Sequence, residues 1–394
     1  MWVPQNAAEV EEAVGAGNLE ETASFDGKEC LPGRKRNVDL AIDVAAMTTE
    51  GGVLLYGVGE DEQGRLSLLR PITLAGVADR IDQIVATSIA EVPHIEIKEH
   101  PLSEGDTGYI SVLIPQSPRA PHQVTVGDDR RYYGRGAKGN RRLNEGEVGQ
   151  LYQRRLEWQQ DLDTLLAEAV EEARFPPHAE LAYLHAFARP VVPDRLIWER
   201  ALSVTGGQLE LQGALRDAGD KAIVRNPLSS RVAPNWRRQE ADEWLFSTLP
   251  DVDALKEPER ADQAIDIRVN RDGRGHLFFG RAGARANAGS IVIFESAIAG
   301  SFASFLAIMG RLYELGGYHG HVDLGLSVTG IQGGLSVGRL DSFSSVSTYR
   351  ADAYPQTTGL SATELLDPRG VARALLQDLF EVTTGRDGYD PFED

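Results

Sequence analysis

Leu19-Glu20-Glu21-Thr22-Ala23-Ser24-Phe25-Asp26-Gly27-Lys28 opens the stretch that decides the reading of this chain, and Gly51-Gly52-Val53-Leu54-Leu55-Tyr56-Gly57-Val58-Gly59-Glu60 closes it. Between them lies an apolar helical pattern. The first segment reads as a strand over Thr22–Lys28, in which Asp26 and Lys28, two residues apart, share one face. Gly51-Gly52 is a turn that feeds a continuous apolar run, Val53–Val58, of the kind buried in a central strand. Acids stand at both ends: Glu21 and Asp26 at the start, Glu60 at the finish, with Asp61 beside it. The pattern can therefore gather three carboxylates at the edge of a small sheet. Glu21 and Asp26 are an odd number of positions apart, so a bulge or the start of the strand must bring them together.

Working outward, residues 6–16 alternate Ala, Val and Glu at helical spacing until Gly15 and Gly17. Arg34–Thr49 places Val38, Ala41, Ile42, Ala45 and Ala46 on one stripe, which predicts an amphipathic helix. Leu74–Ala90 repeats that pattern, with Val77, Ile81, Ile84, Val85 and Ile89. Ile95–Glu99 and Tyr109–Ile114 read as neighbouring strands, and Arg130–Arg135 as one more. Glu145–Arg174 is a long helix that stops at Phe175-Pro176-Pro177. This divides the chain into a domain over 1–144, a connector helix over 145–177 and a second domain over 178–394.

In the second half, Ala179–Arg189 is an apolar segment and a helix is expected near Asp194–Leu202. Ala264–Val269 and His276–Phe279 flank a turn-rich hexapeptide and predict a hairpin. Ser290–Phe294 and His321–Thr329 read as strands, and Ala297–Leu315 and Arg369–Phe380 as helices. The mixture defines an α+β chain. Gly52-Val-Leu-Leu-Tyr-Gly57 echoes Gly275-His-Leu-Phe-Phe-Gly280, but a buried strand between glycines is too common to establish duplication.

Composition sets further bounds. At 394 residues, 42% apolar and 25% charged, the chain has the make-up of a two-domain globular protein. The longest apolar run, around Ile298–Met309, is shorter than a bilayer requires, and the first residues lack a basic segment followed by an apolar one. The expectation is a cytoplasmic protein with no membrane partner. The single cysteine, Cys30, excludes an intrachain disulfide and a Cys-rich zinc site. A formal charge of −19 argues against a surface basic throughout, though not against a local basic patch. Such a patch is visible in Arg119, Arg130, Arg131, Arg135, Lys138, Arg141 and Arg142, opposed only by Asp128 and Asp129. Tyr132 and Tyr133 lie among them, and Arg with Tyr suits phosphate contact plus base stacking. Arg34-Lys35-Arg36 opens a helix, where cations oppose the macrodipole, and so hints at an outside partner.

The residues of the opening stretch resemble the Schlafen AlbA-type domain, whose signature is Glu-x4-Glu-Phe-Lys, then Asn-Thr-Asp-Gly-Gly and Gly-Val-Asp-Asp. Glu21 falls on the first Glu, Asp26 on the second, and Lys28 on the Lys. Gly51-Gly52 falls on the Gly pair, Gly57-Val58 on Gly-Val, and Glu60 on the final acid. Tyr132-Tyr133-Gly134-Arg135 is similar to the family's closing strand, Leu143-Asn144-Glu145-Gly146-Glu147 to its acidic helix start, and Pro121-His122 to an upstream Pro-His. The likeness spans about residues 15–155. It implies a Schlafen AlbA-type mixed sheet with flanking helices, followed by the connector and a second α+β domain.

The resemblance also implies an activity: metal-dependent endoribonuclease action on structured RNA, above all tRNA, in stress or phage defence. Glu21, Asp26 and Glu60 are then the catalytic carboxylates and the ligands of Mg²⁺ or Mn²⁺, and Lys28 stabilises phosphate charge. Arg119, His122, Arg130, Arg131, Tyr133, Arg135, Lys138, Arg141 and Arg142 are the nucleic-acid contacts. The alternative is a non-catalytic DNA-binding regulator whose C-terminal domain senses a ligand, and a third reading is an interaction scaffold. The family's eukaryotic cores clamp RNA between two related lobes. The second half of this chain repeats no acidic motif, so a homodimer is expected to supply the other wall. Departures are local: Asp26 stands for Glu, Thr48 for Asn, and Gly27 for an apolar Phe, leaving a gap that Phe25 is expected to face away from.

Other signals are weaker. Gly134-Arg135-Gly136-Ala137-Lys138-Gly139 lacks the phosphate-loop spacing. His319, His321 and Asp323 place metal-ligand types along one strand without a supporting upstream ligand. Ser301 lacks the Gly-x-Ser-x-Gly elbow, and Cys30 has no visible catalytic partner.

Overall fold

Helix α1, Ala7–Gly15, begins where Asn6 accepts a hydrogen bond from the Glu9 backbone N–H, a side-chain cap that satisfies one otherwise orphaned donor. The computed structural model describes residues 2–17, 19–33, 36–61, 63, 65–103, 105–126, 130–136, 139–171, 181–191, 196–222, 235–240, 243–247, 264–286, 290–337, 348–384 and 390–392. The chain forms two units, Met1–Trp158 and Gln159–Asp394.

The first unit is built on a parallel crossover. Strand β1, Phe25–Lys28, leads through helix α2, Asn37–Met47, to strand β2, Gly52–Tyr56, which lies parallel to β1 with Asp26 opposite Leu54 and Lys28 opposite Tyr56. Beyond β2 the sheet was expected to continue to Val58. Instead Gly57 takes φ 97°, a left-handed conformation open to glycine, and the chain leaves the sheet. Val58–Glu60 (β3) pairs with Leu66–Leu69 (β4) as a separate ribbon. Ile72–Thr73 (β5) follows, then helix α3 (Val77–Ser88) and the short strand β6 (Ile89–Ala90). Glu96–Pro101 (β7) and Thr107–Ile114 (β8) are the neighbouring strands anticipated from the sequence; they pair antiparallel, and β8 joins β2. Gln123–Val124 (β9), Arg131–Gly136 (β10) and Gly139–Arg142 (β11) extend β6 into a second, antiparallel sheet. Helix α4, Glu145–Glu171, spans the division between the units.

Each face of the main sheet buries its own apolar layer. Leu54, Tyr56, Ile110, Val112 and Ile114 pack with α2 and α3. Phe25, Val53, Leu55, Tyr109 and Leu113 pack with α1 and Leu66 on the other side. Phe25 and Gly27, two residues apart, share this second face, which corrects the expectation that Phe25 turns away from the gap at Gly27. Leu66 fills that gap: a Cβ on Gly27 would stand 2.4 Å from Leu66 Cδ2. Thr48 is buried and its hydroxyl donates to Ala45 O at 2.7 Å, ending α2 without the Asn of the family pattern.

Among the described residues the second unit forms a nine-stranded, largely antiparallel sheet. Its strands are Leu181–Pro190 (β12), Asn235–Glu240 (β13), Glu243–Ser247 (β14), Ile265–Asn270 (β15), Gly275–Arg285 (β16), Ile291–Ile293 (β17), His321–Thr329 (β18), Leu335–Ser336 (β19) and Ala353–Ser361 (β20). β15 and β16 are the anticipated hairpin. Helices α5 (Ile197–Thr205), α6 (Gln208–Ala222), α7 (Glu295–Leu315) and α8 (Pro368–Thr384) accompany the sheet. α7 is long and apolar enough to cross a membrane by composition, yet 83% of the qualifying window is buried. It is the core helix of this unit, with Phe302, Phe305, Leu306 and Met309 inside. The echo between β2 and β16 is one of burial alone: β2 has a parallel and an antiparallel neighbour, whereas β16 pairs only antiparallel.

Candidate functional site

The odd spacing of Glu21 and Asp26 is resolved by a tight reversal. Thr22 N–H donates to Phe25 O at 2.9 Å and Phe25 N–H to Thr22 O at 3.4 Å. The next pair outward from that bridge is Glu21 and Asp26, whose carboxyls act on one another's proton affinity. Asp26 then enters β1 at the edge of the sheet, on the face covered by α2, and Lys28 follows on the same face.

Asp26 is 2% exposed. Its Oδ1 lies 2.9 Å from Lys28 Nζ, and its Oδ2 3.1 Å from Arg135 Nη1. Arg135 comes from β10 and is itself buried. It also donates to Thr22 O (3.1 Å), Ala23 O (3.3 Å) and Asn140 Oδ1 (3.0 Å), so one guanidinium holds the reversal, the acid and β11 together. Asn140 passes the contact on, donating to Asp43 Oδ1 of α2 at 2.5 Å.

These contacts drive the acids apart in proton affinity. Burial raises the Glu21 carboxyl to about 7, assisted by the neighbouring Asp26 carboxyl and by the charge of Glu60, against the pull of Lys28. Burial also opposes charge on Asp26, but Glu21, Lys28 and Arg135 outweigh it and hold that carboxyl below its ordinary value. Burial raises Asp43 to about 6, with Lys28 and Asn140 pulling the other way. Lys28 loses hydration, yet Asp26, Asp43 and Glu21 keep it more firmly protonated than a free lysine.

The third acid is Glu60 rather than Asp61. Glu60 is exposed on the ribbon and its charge bears on Glu21. Asp61 instead accepts from the Gln63 and Arg65 backbone N–H groups, from Arg65 Nε and from Ser67 Oγ, closing its own turn. Divalent cations of the Mg²⁺ type need several free oxygen ligands. Here both Asp26 oxygens already face cations. The residues as arranged do not fit the metal implied by the resemblance: an ion would have to displace Lys28 and Arg135 from Asp26.

The expected nucleic-acid contacts divide. Arg119, Arg130, Arg131, Arg141 and Arg142 are exposed, with Arg141 2.6 Å from Glu147. Tyr133 is part-buried against the α2 layer. Two of the expected contacts, Arg135 and His122, have buried side chains. Arg135 serves Asp26, and His122, 2% exposed, is bonded to Glu91 O and to Ser117 Oγ. Lys138 lies outside the described residues. In the second unit, Asp323 is taken by Arg189, whose Nε stands 3.1 Å from Asp323 Oδ2, so the His319–His321–Asp323 run does not present a free ligand set.

Asp43 and Asn140 belong to the site and were not anticipated. Asp43 left one trace: it is the only acid within the apolar run Leu40–Met47. Asn140 is brought in by β11, and nothing near it in sequence points to α2.

Fold and site together define an α+β protein whose first unit buries a carboxylate–lysine–arginine cluster at a sheet edge. No family model, curated protein or solved structure matches the chain.

Proposed function

We propose that the first unit binds RNA and cleaves it, with Glu21 as the group that takes up and returns the proton. One observation carries this reading. Glu21 and Asp26 flank one tight reversal and bear on one another, yet one is raised to about 7 and the other lowered. Neighbouring acids driven apart in this way are the mark of an acid–base assignment, and a base works best with an affinity near the ambient pH.

RNA suits this set of groups because it carries its own nucleophile. Ionised Glu21 removes the proton of a ribose 2′-hydroxyl, whose oxygen forms a bond to the adjacent phosphorus. The bond from phosphorus to the 5′ oxygen breaks, and Glu21 returns the proton to that oxygen. The products are a 2′,3′-cyclic phosphate and a 5′-hydroxyl. Lys28, kept charged by its acidic neighbours, offsets negative charge on the phosphate. Asp26 and Arg135 are positioning residues that hold Glu21 and Lys28. The exposed arginines of β10 and β11 give the strand a phosphate-binding approach.

The test incubates total tRNA with the protein in EDTA and, separately, with Mn²⁺, and identifies the new ends. Cleavage in EDTA with cyclic phosphate ends, reduced about 10²–10⁴-fold in E21Q, is the expected result. Intact RNA in both, or cleavage indifferent to E21Q, overturns the proposal. Cleavage only with Mn²⁺, leaving 5′-phosphates, would replace it with the metal-dependent hydrolysis that the Schlafen resemblance implies.

A further inference from the structure

Beside Lys28 a cleft of about 450 Å³ opens among β1, β2 and α2. Its walls include the apolar side chains of Leu31, Pro32 and Ile42, and its polar groups include Tyr56 and Asp43. The rim is fixed from α3, because Arg80 donates to Pro32 O and, at 2.9 Å, to Asn37 Oδ1.

Tyr56 distinguishes this cleft from a mere surface groove. Its side chain is fully buried and its hydroxyl has no hydrogen-bond partner. Burial pushes its pKa up, so the O–H remains a donor at any ordinary pH. Buried polar groups are almost always bonded, and an orphan lining a cleft points to an acceptor that arrives with a ligand. Asp43, on the next element, supplies the complementary acceptor. Its Oδ1 already receives Asn140 Nδ2, which fixes the carboxylate in place.

The charges of the lining do not call for an anion. Lys28 is paired with Asp26 at 2.9 Å and Arg36 with Asp39 at 2.7 Å. Asp39 and Asn140 are likewise engaged, by Arg36 and by Arg135 and Asp43, which leaves a space with apolar walls, the Tyr56 donor, the Asp43 carboxylate and the exposed Cys30 thiol. This suits a flat heteroaromatic ring that carries a carbonyl next to N–H groups. Guanine presents that edge, one carbonyl followed by two donors. Adenine and cytosine place a ring-nitrogen lone pair where the carboxylate needs a donor, and uracil sets its one N–H between two carbonyls.

We infer that this cleft receives a guanine base of the RNA strand, with Tyr56 donating to its carbonyl and Asp43 accepting from its N–H edge. The strand is taken from the RNA-cleavage reading above; the base preference stands on the cleft alone.

Calorimetric titration of the intact protein with GMP, AMP, CMP and UMP tests the base. A uridine oligoribonucleotide with and without one internal guanosine tests its source. GMP is expected to bind at least about tenfold tighter than the other three. Y56F, which removes only an unpartnered hydroxyl and leaves the fold intact, is expected to weaken GMP about tenfold. D43N is expected to abolish the preference. Equal or absent binding of the four nucleotides overturns the inference, as does GMP affinity unchanged in both variants. GMP binding with no gain from the guanosine in the oligonucleotide would overturn delivery by RNA. A guanine preference without RNA cleavage sinks the cleavage reading and not this one, and cleavage without a base preference does the reverse.

Discussion

Arg135 Nη1 lies 3.1 Å from Asp26 Oδ2, and the two side chains are only 6% and 3% exposed. A strand late in the first unit is thereby tied to an acid near its start. Removing one member of a buried ion pair leaves the other charge uncompensated and costs about 3–5 kcal/mol. Lys28 remains beside Asp26, so R135M is expected at the lower end, about 3 kcal/mol. R135K keeps the charge but cannot also reach Thr22 O, Ala23 O and Asn140 Oδ1, and should fall between. Urea denaturation of both variants checks this. An R135M protein as stable as wild type would mean that the network contributes nothing to folding.

Glu21 ties stability to pH in a defined direction. Its carboxyl is raised to about 7, so the folded chain holds a proton that the unfolded chain releases near the ordinary 4.5. That contribution is full below about pH 4.5 and is lost as the pH climbs through about 7. Asp43, raised to about 6, acts in the same sense. Asp26 acts in the opposite one: its folded pKa lies below the ordinary 3.8, so its contribution is lost only as the pH falls through that lower value. Between about pH 4.5 and about pH 7 the wild type should therefore lose stability relative to E21Q, which cannot ionise. Thermal melts of the pair across that window are the measurement. Parallel curves would show that Glu21 titrates as an ordinary acid.

The elements of the first unit could be read in the sequence because their periods are clean: α2 and α3 carry apolar stripes, β2 is a continuous apolar run, and the Tyr109–Ile114 part of β8 is apolar but for Ser111. The end of β2 could not, because Val58 is as apolar as its neighbours and only the left-handed Gly57 diverts it. The site was legible in part for a related reason. Glu21, Asp26 and Lys28 lie close in sequence, and their meeting depends on one local reversal. Asp43, Asn140 and Arg135 reach Asp26 only through packing of α2 and the β10–β11 hairpin against β1, information that no local spacing carries. His122 was drawn in by the likeness of Pro121-His122 to a segment of the resembled pattern, whereas its burial is fixed by its bonds to Glu91 O and Ser117 Oγ, the first 31 residues away.

Gly27 stands where the pattern that the opening stretch resembles has an apolar Phe, and Leu66 fills that space. Leu66, 1% exposed, lies over it, and a Cβ there would come within 2.4 Å of Leu66 Cδ2 and 2.8 Å of Cδ1. Overpacking a filled core costs about 1–3 kcal/mol, and G27A is expected at the lower end because Leu66 can shift its tip. G27F, which places there the Phe of the resembled pattern, should lie at the upper end or beyond. Trimming Leu66 should relieve it: G27F/L66A is expected to lose less than the two single changes combined, as contacting sites do. Strict additivity in denaturation midpoints would mean that the two side chains do not compete for one space.

The exposed arginines and the buried histidine of the basic segment should separate in one salt titration. Each phosphate contact releases counterions, so removing one arginine that touches RNA lowers the slope of log affinity against log salt by about one. R131A and R142A are expected to do this and to weaken all sequences alike, because both side chains are exposed at the β10–β11 surface. H122A should leave the slope unchanged. Its ring is neutral, since burial lowers its pKa: Nδ1–H donates to Glu91 O at 2.5 Å and Nε2 accepts from Ser117 Oγ at 2.8 Å. Losing those bonds instead costs about 1–3 kcal/mol of folding stability. Anisotropy of a labelled tRNA fragment over a salt series, with a melt of each variant, reads both effects. If the R131A/R142A double variant keeps the wild-type slope, this surface is not where RNA binds.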